Sequence, residues 1–370
     1  MDCEVAVVGA GVVGTATALA LARRGVSTIV VEAEREPGLA ASGTNSGILH
    51  TGFDSVPGEL ETDLILLAGR LRDPVLAALG IPVRRCGALL GASAEASSLL
   101  VNAQRNGVAV SLREDGSLEV PGEAVTDPVA YTAALVSAAC RHGAALRTGF
   151  RVTSLQRERG GIALEGDHGD RVLAAAVANC AGLHADEIAR LAGDDSFEIY
   201  PRKGEFLVFE PPPGEILDRI LLPVPTKRTK GVLVFPTIDG KVIAGPTAVD
   251  QADKHDWSVR PEARGEILPH AIGLWPPLEG ATQITEYAGL RPAGRGVNYL
   301  IERSRACESL VNVAAIRSTG LTASLGIAEH VCGILEGIGV SLGPSLPIEK
   351  AEVAPAEIPW WRRAAEYRSP

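Results

Sequence analysis

Val5 to Val8 is an unbroken apolar run, the pattern of a strand covered on both faces rather than one alternating between core and water. Small and apolar residues continue from Val12 to Arg23, and Gly25 stops them, which predicts a helix. A second apolar run, Ser27 to Val31, ends on Glu32. Apolar positions return at helical spacing from Leu60 to Leu79, closed by Gly80 and Pro82, and Val83 to Ala92 reads as paired strand segments around Cys86 and Gly87. Asp127-Pro128 opens a helix to about His142. Short strands follow near Ala145–Arg147 and Arg151–Gln156, then a polar hairpin, a run at Ala176–Cys180 and a helix from Leu183 to Ala192. From Tyr200 the period changes to two. YPRKGEFLVFEPP, ILLPVPTK, KGVLVFPTIDGKVIAGPTA and TQITEYAGLRPAG, punctuated by Pro and Gly, predict a mostly antiparallel sheet, with one helix over Arg260–Gly273. Leu310 to Ile316 returns to a buried strand, and RSTGLTASLGIAEHVCGILEGIG opens a helix at a Gly/Thr/Ser-rich end.

The first strand and helix are joined by Gly9, Gly11 and Gly14 in G-x-G-x-x-G spacing, and Glu32 stands eighteen residues beyond the last glycine. Gly9 suits the tight turn, Gly11 lets the backbone approach a pyrophosphate, and Gly14 lets helix and strand pack closely. The N–H groups at the helix start attract phosphate, and the acid is placed to accept hydrogen bonds from a ribose. With strand, helix, second strand and acid all in order, this is a dinucleotide site in which Val12, Val13 and Ala33 also belong.

The loop after it, AEREPGLAASGTNSGILHTGFD, carries small polar groups at Ser42, Thr44, Asn45, Ser46 and Gly47 and ends on His50. In a nicotinamide enzyme this stretch would normally lead through a helix to a third strand; here it suits a longer cofactor threading past. VANCAG, with Ala181 and Gly182, is a second strand-to-helix turn able to meet a cofactor, and Val152 is expected beside it. The helix start at Gly320-Leu321-Thr322 offers N–H groups and a positive dipole end to negative charge on a cofactor.

The chain has 370 residues, enough for about two domains. Its net charge of −10 and lack of a basic run exclude a polyanion-binding surface, so no nucleic acid is expected and an anionic substrate needs a local basic pocket. Six scattered cysteines without a C-x-x-C pair read as reduced thiols in a cytoplasmic protein, with no metal site. Asp2, Glu4 and three glycines argue against a signal peptide, and no apolar run is long enough to span a bilayer. The closing stretch carries Trp360-Trp361-Arg362-Arg363. It is expected to pack back onto its own domain; the alternative is peripheral contact with a membrane surface or a partner.

Taken together, NSGILHTGFD (Asn45 to Asp54), VANCAGLHADEIARLAG (Val177 to Gly193), PRKGEF (Pro201 to Phe206), GVLVFPTIDGKVIAGPTA, YAGLRPA and VNVAAIRSTGLTAS resemble the FAD-dependent oxidoreductases of the D-amino-acid oxidase superfamily over most of residues 4 to 335. Within it the chain looks most like the short glycerol-3-phosphate oxidases and dehydrogenases and the L-2-hydroxyglutarate oxidases and dehydrogenases. The resemblance implies an α/β protein (α+β overall): a Rossmann-like FAD-binding domain from discontinuous segments, 1–80, 120–199 and 301–345, and a mostly antiparallel substrate domain, 81–119 and 200–300, with 346–370 as a tail. It implies noncovalent FAD, hydride transfer to flavin N5, His50 near the ring as base for the hydroxyl proton, and Arg291 and Lys254 bordering a small anionic 2-hydroxy substrate. The electron acceptor is left as oxygen, a quinone or a carrier protein. From the residues alone, His50 reads more often as a core histidine and only the resemblance favours the base; Lys254 could equally be a surface ion-pair partner and Arg317 a strand cap, while Tyr200 and Tyr287 are candidates for the pocket wall. An amine or amino-acid oxidase and a non-catalytic flavin-binding subunit remain the alternatives. The further C-terminal domain of the long glycerol-3-phosphate dehydrogenases has no counterpart here, and the tryptophan-rich tail matches nothing in the family.

Overall fold

The computed structural model describes residues 1–223, 231–350 and 357–368. The first strand, Cys3–Val8, sits between Thr28–Val31 and Arg171–Asn179, all parallel, with Ala145–Arg147 beyond Thr28–Val31 and Leu310–Ala314 beside the end of Arg171–Asn179. Val5 and Val7 face a core shared with helices Val12–Ala22, Leu60–Leu79, Pro128–Arg141 and Gly320–Gly337, whereas Ala6 and Val8 face a second core with Phe150, Leu164 and Ile188. Burial on both sides is why the run does not alternate. Antiparallel strands Val152–Glu158 and Gly161–Gly166 extend this eight-stranded sheet along one edge, and Leu300–Arg303 pairs with Leu310–Ala314.

A nine-stranded sheet is built around Ile199–Glu210 and Thr282–Gly294, antiparallel along their whole length. Val242–Gly245, Leu233–Pro236 and Ile220–Leu222 continue it antiparallel, and one parallel pairing, of Ile220–Leu222 with Ala88–Leu90, carries it on. Positions 224–227 of the expected ILLPVPTK strand lie outside the described residues. A third, three-stranded sheet joins Ile48–Leu49, Ala124–Thr126 and Val83–Arg84.

Several ends differ from expectation for local reasons. The segment 83–92 splits between two sheets. The strand at 310 stops at Ala314 because Ala315 adopts a left-handed φ of 56°. The helix expected at 260–273 runs Ala263–Leu274 and is followed by a 3-10 turn, Pro276–Gly280. Asp127 caps its helix as anticipated, Oδ1 accepting from the N–H groups of Val129 and Ala130 at 2.9 Å each. Two helices were not foreseen, Ala96–Arg105 and Trp360–Arg368. In the latter, Trp360, Trp361, Ala364 and Ala365 are buried in one core with Phe206 and Tyr287, Trp360 edge-on to Tyr287, and the Trp361 indole N–H donates to the Asp239 carboxylate. Arg363 pairs with Glu36 in the loop after Glu32. The indoles therefore pack back onto the protein; the alternative of paired rings presented to a membrane finds no exposed indole face here. Among the described residues no helix is long and apolar enough to cross a membrane.

Candidate active site

The carboxyl ends of the parallel strands open onto a cavity of about 400 Å³. Gly9 has φ 100°, and a Cβ there would lie 2.6 Å from the Cys180 carbonyl oxygen. A Cβ on Gly14 would lie 2.0 Å from the Gly9 carbonyl oxygen, so that position packs helix on strand and does not line the cavity. A Cβ on Gly11 would meet only the Ser42 hydroxyl, at 3.2 Å, and otherwise project into the space a ligand would take. Ser42 accepts a hydrogen bond from the N–H of Val12 at 2.9 Å. The Glu32 carboxylate lines the wall and accepts from the N–H groups of Ala10 (2.6 Å) and Glu34 (2.9 Å); burial pushes its acid up while these donors pull it down. Val12, Val13, Ala33, Asn45, Val152, Ala181 and Gly182 complete the expected set on this wall. Gly320 and Leu321 bring the start of the helix Gly320–Gly337 to it, where the first N–H groups have no partner within the helix. Two glycines that only a bare backbone can fill, a buried acid on the wall and a helix start fit a dinucleotide extending toward the second cavity.

That second cavity, about 290 Å³, shares Ala41, Asn45 and Arg317 with the first. Thr44 and Ser46 lie here rather than in the first, and Gly47 lies on neither wall: its φ of 76° and its closeness to the Thr126 carbonyl make it a backbone requirement. His50 and Arg291 are both on the second wall, with Phe206 and Phe235 supplying an apolar side. Arg291 is seated by three main-chain carbonyls: Nε donates to Arg202 (3.1 Å), and Nη2 to Lys203 (3.0 Å) and Thr247 (2.6 Å). Burial, with the Arg202 charge adding, pushes the guanidinium down to about 10, which leaves it charged at neutral pH. Neither Nη1 proton is engaged among the described residues, so the fork keeps one end for an anion. Arg202 also reaches this cavity but is held bidentately by Asp250. Arg317 faces both cavities and leans on Glu61 at 3.4 Å.

His50 is anchored through its main chain, its N–H donating to the Thr322 hydroxyl (3.0 Å) and its carbonyl accepting from Arg72 (3.2 Å). Thr322 is thus a support for His50 and not part of either wall. The ring Nδ1 lies 2.9 Å from Oε2 of Glu123, a residue the sequence reading missed. Glu123 is wholly buried, and its other oxygen accepts from the N–H and hydroxyl of Thr51 at 2.6 and 2.8 Å. The available signal was a lone acid directly ahead of the apolar strand Ala124–Thr126.

Lys254 is not where expected. It lines the first cavity, not the second, with Nζ donating to Asp186 (2.7 Å) and Glu187 (2.8 Å) on the helix Ala185–Leu191. Its two carboxylate partners make it an ion-pair link joining that helix to the loop after Asp250. Tyr200 and Tyr287 line neither cavity: Tyr200 accepts from Arg202, and Tyr287 is stacked on Phe206 at 4.9 Å.

This arrangement, a strand–glycine–helix cavity running into a pocket that carries Arg291 and His50 beside Asp54, Glu59 and Glu61, is that of a flavin-type oxidoreductase. Residues 4–334 match the DAO family, the FAD dependent oxidoreductases, and the chain belongs to it; its cofactor is FAD. The chain is 28% identical over 356 residues to a glycerol 3-phosphate dehydrogenase of Caloramator mitchellensis, covering 90% of this chain and 74% of that protein. It is 26% identical over 266 residues to the L-2-hydroxyglutarate dehydrogenase of Escherichia coli K12, covering 66% and 63%. In fold it is similar to a dithionite-reduced L-alpha-glycerophosphate oxidase from Mycoplasma pneumoniae with FAD bound, with a TM-score of 0.86 at 24% identity, over 94% of this chain and 98% of that one.

Proposed function

We propose that this enzyme oxidises a small anionic 2-hydroxy compound, glycerol 3-phosphate first and an L-2-hydroxyglutarate-like acid second. The observation that carries it is the meeting of His50 and Arg291 in one pocket contiguous with the cofactor cavity. Glycerol 3-phosphate is favoured because the chain spans 74% of its relative of that name but 63% of the hydroxyglutarate relative.

Gly9, Gly11, Val12 and Ser42 would cradle the pyrophosphate, Glu32 the ribose, and Gly320 and Leu321 the charged edge of the ring. Bound FAD supplies the hydride acceptor, at N5. Arg291 holds the substrate's anionic end through the side of its fork that faces the cavity. Phe206 and Phe235 give the other side of the pocket an apolar wall. His50, the side chain best matched to a hydroxyl proton at neutral pH, takes that proton as the carbon loses hydride and the C–O bond becomes a ketone. The two electrons leave with the hydride, and the proton stays on the imidazole until it is released.

Anaerobic mixing of the purified protein with glycerol 3-phosphate, L-2-hydroxyglutarate and glycine tests this reading. Bleaching of the flavin band by one of the hydroxy compounds is expected; bleaching by the amine alone would replace it with an amine oxidase.

A further inference from the structure

We propose that Glu123 is the positioning residue of this reaction: its carboxylate fixes His50 with the proton on Nδ1, leaving the Nε2 lone pair for the substrate hydroxyl. The proposal rests on His50 being the base. It begins with the small three-stranded sheet. Ile48 pairs with Val125 and Leu49 with Ala124, so the same antiparallel register carries His50 opposite Glu123. A two-residue strand thus delivers two titratable groups from opposite sides of the chain to one point, 73 residues apart in sequence.

The division of labour between the two carboxylate oxygens is specific. Oε1 holds the turn, accepting from both the N–H and the hydroxyl of Thr51, and Oε2 faces the imidazole Nδ1. A Cβ at Gly122 would lie 2.8 Å from the Thr51 methyl, so the glycine lets this turn close on Glu123. A carboxylate can only accept, so the nitrogen facing it carries the hydrogen, and the opposite nitrogen is the basic one. His50 needs no such contact to be held in place, because Thr322 and Arg72 already fix its main chain. The contact therefore sets the ring's tautomer and orientation.

The carboxylate also prepares for the charge that catalysis creates. When Nε2 takes the hydroxyl proton the ring becomes an imidazolium, and it does so 2.9 Å from a carboxylate with no solvent exposure. The attraction grows as the proton arrives, so it favours the transition state over the resting enzyme. Burial pulls the Arg72 guanidinium down, and the Glu123 charge opposes that pull, so the two opposite charges lie close enough to support each other.

Glu123→Gln isolates the effect, because the amide oxygen can keep the Thr51 bonds while the amide nitrogen donates to Nδ1 and forces the hydrogen onto Nε2. Anaerobic rapid mixing should show the limiting rate of flavin reduction falling by about a hundred- to ten-thousandfold, with substrate affinity and FAD content kept. Glu123→Asp, which retains the carboxylate, should recover part of the rate. Histidine-selective ¹⁵N NMR, with the His50 signal assigned by its loss in His50→Asn, should report hydrogen on Nδ1 in the wild type and on Nε2 in Glu123→Gln. A wild-type ring protonated on Nε2, or a Glu123→Gln protein that reduces its flavin at the wild-type rate, overturns the proposal. A slow Glu123→Gln protein whose tautomer is unchanged does so too, since it reduces Glu123 to a structural role. The His50→Asn rate separates this from failure of the base itself: slow His50→Asn with fast Glu123→Gln sinks only Glu123, and wild-type rates in both sink the two together.

Discussion

Gly204→Ala should loosen the substrate anion without touching the cofactor. Gly204 lies within the strand Ile199–Glu210, under the plane where the Arg291 guanidinium crosses it. A Cβ there would sit 2.6 Å from Arg291 Nη2, 3.0 Å from Cζ and 2.9 Å from the Pro246 side chain. Those distances are too short to be absorbed in place, and Pro246 blocks one way out, so the guanidinium must move. Its φ is not among the left-handed values, so alanine brings crowding rather than backbone strain. Moving it breaks or lengthens the bonds to Lys203 and Thr247 and turns the fork away from the pocket. A hydrogen bond to a charged group contributes about 1.5–3 kcal/mol, so losing one such contact to substrate should weaken binding by about ten- to a hundredfold. Titrating the anaerobic flavin reduction rate against substrate separates the dissociation constant from the limiting rate. The first should rise by that factor and the second stay within a few-fold, with FAD content unchanged. An unaltered dissociation constant would refute the seating of Arg291 as the anion holder.

Gly14→Val should prevent the first helix from packing on its strand and leave little folded protein, whereas Gly11→Val should fold and lose its flavin; circular dichroism and the 450-nm region together separate the two (about 450 nm for a bound flavin). Trp361→Ala empties a buried site beneath Asp239 and should cost about 3–5 kcal/mol in denaturant unfolding, and the wild-type protein should not pellet with anionic liposomes. Asp256, hydrogen-bonded by Lys203 and the Ser258 hydroxyl, has its acid drawn down to about 2. The stability it contributes is in place above the ordinary Asp value near 4 and is lost as pH falls through about 2. Asp256→Asn should therefore flatten that part of the acid unfolding curve, by a small amount because the carboxylate is partly exposed.

The first strand, its glycines, the following helix and the Asp127 cap were legible because each is set by neighbours in sequence. The close packing of helix on strand at Gly14 was legible from the spacing, whereas the contact of Gly9 with the Cys180 carbonyl was not, because Cys180 comes from a distant strand. The pairing of His50 with Glu123 was not legible, since it depends on a ladder two residues long between segments far apart in the chain. The partners of Lys254 were not legible for a related reason: the Asp250, Asp253 and Asp256 around it in sequence are not what hold it, and Asp186 and Glu187 arrive from another helix. The final helix hid behind its composition. Trp360, Trp361, Ala364 and Ala365 do recur at helical spacing, but arginines stand between them and the apolar face is short. Its partners, Tyr287 and Asp239, become neighbours only after the nine-stranded sheet has formed.

His50 is proposed to take the hydroxyl proton in the pocket it shares with Arg291. The most direct test is the rate of anaerobic flavin reduction by glycerol 3-phosphate in His50→Ala against wild type, at saturating substrate and matched FAD content. A fall of about a hundred- to ten-thousandfold with the flavin still bound is the predicted result. Reduction at the wild-type rate would place the base elsewhere.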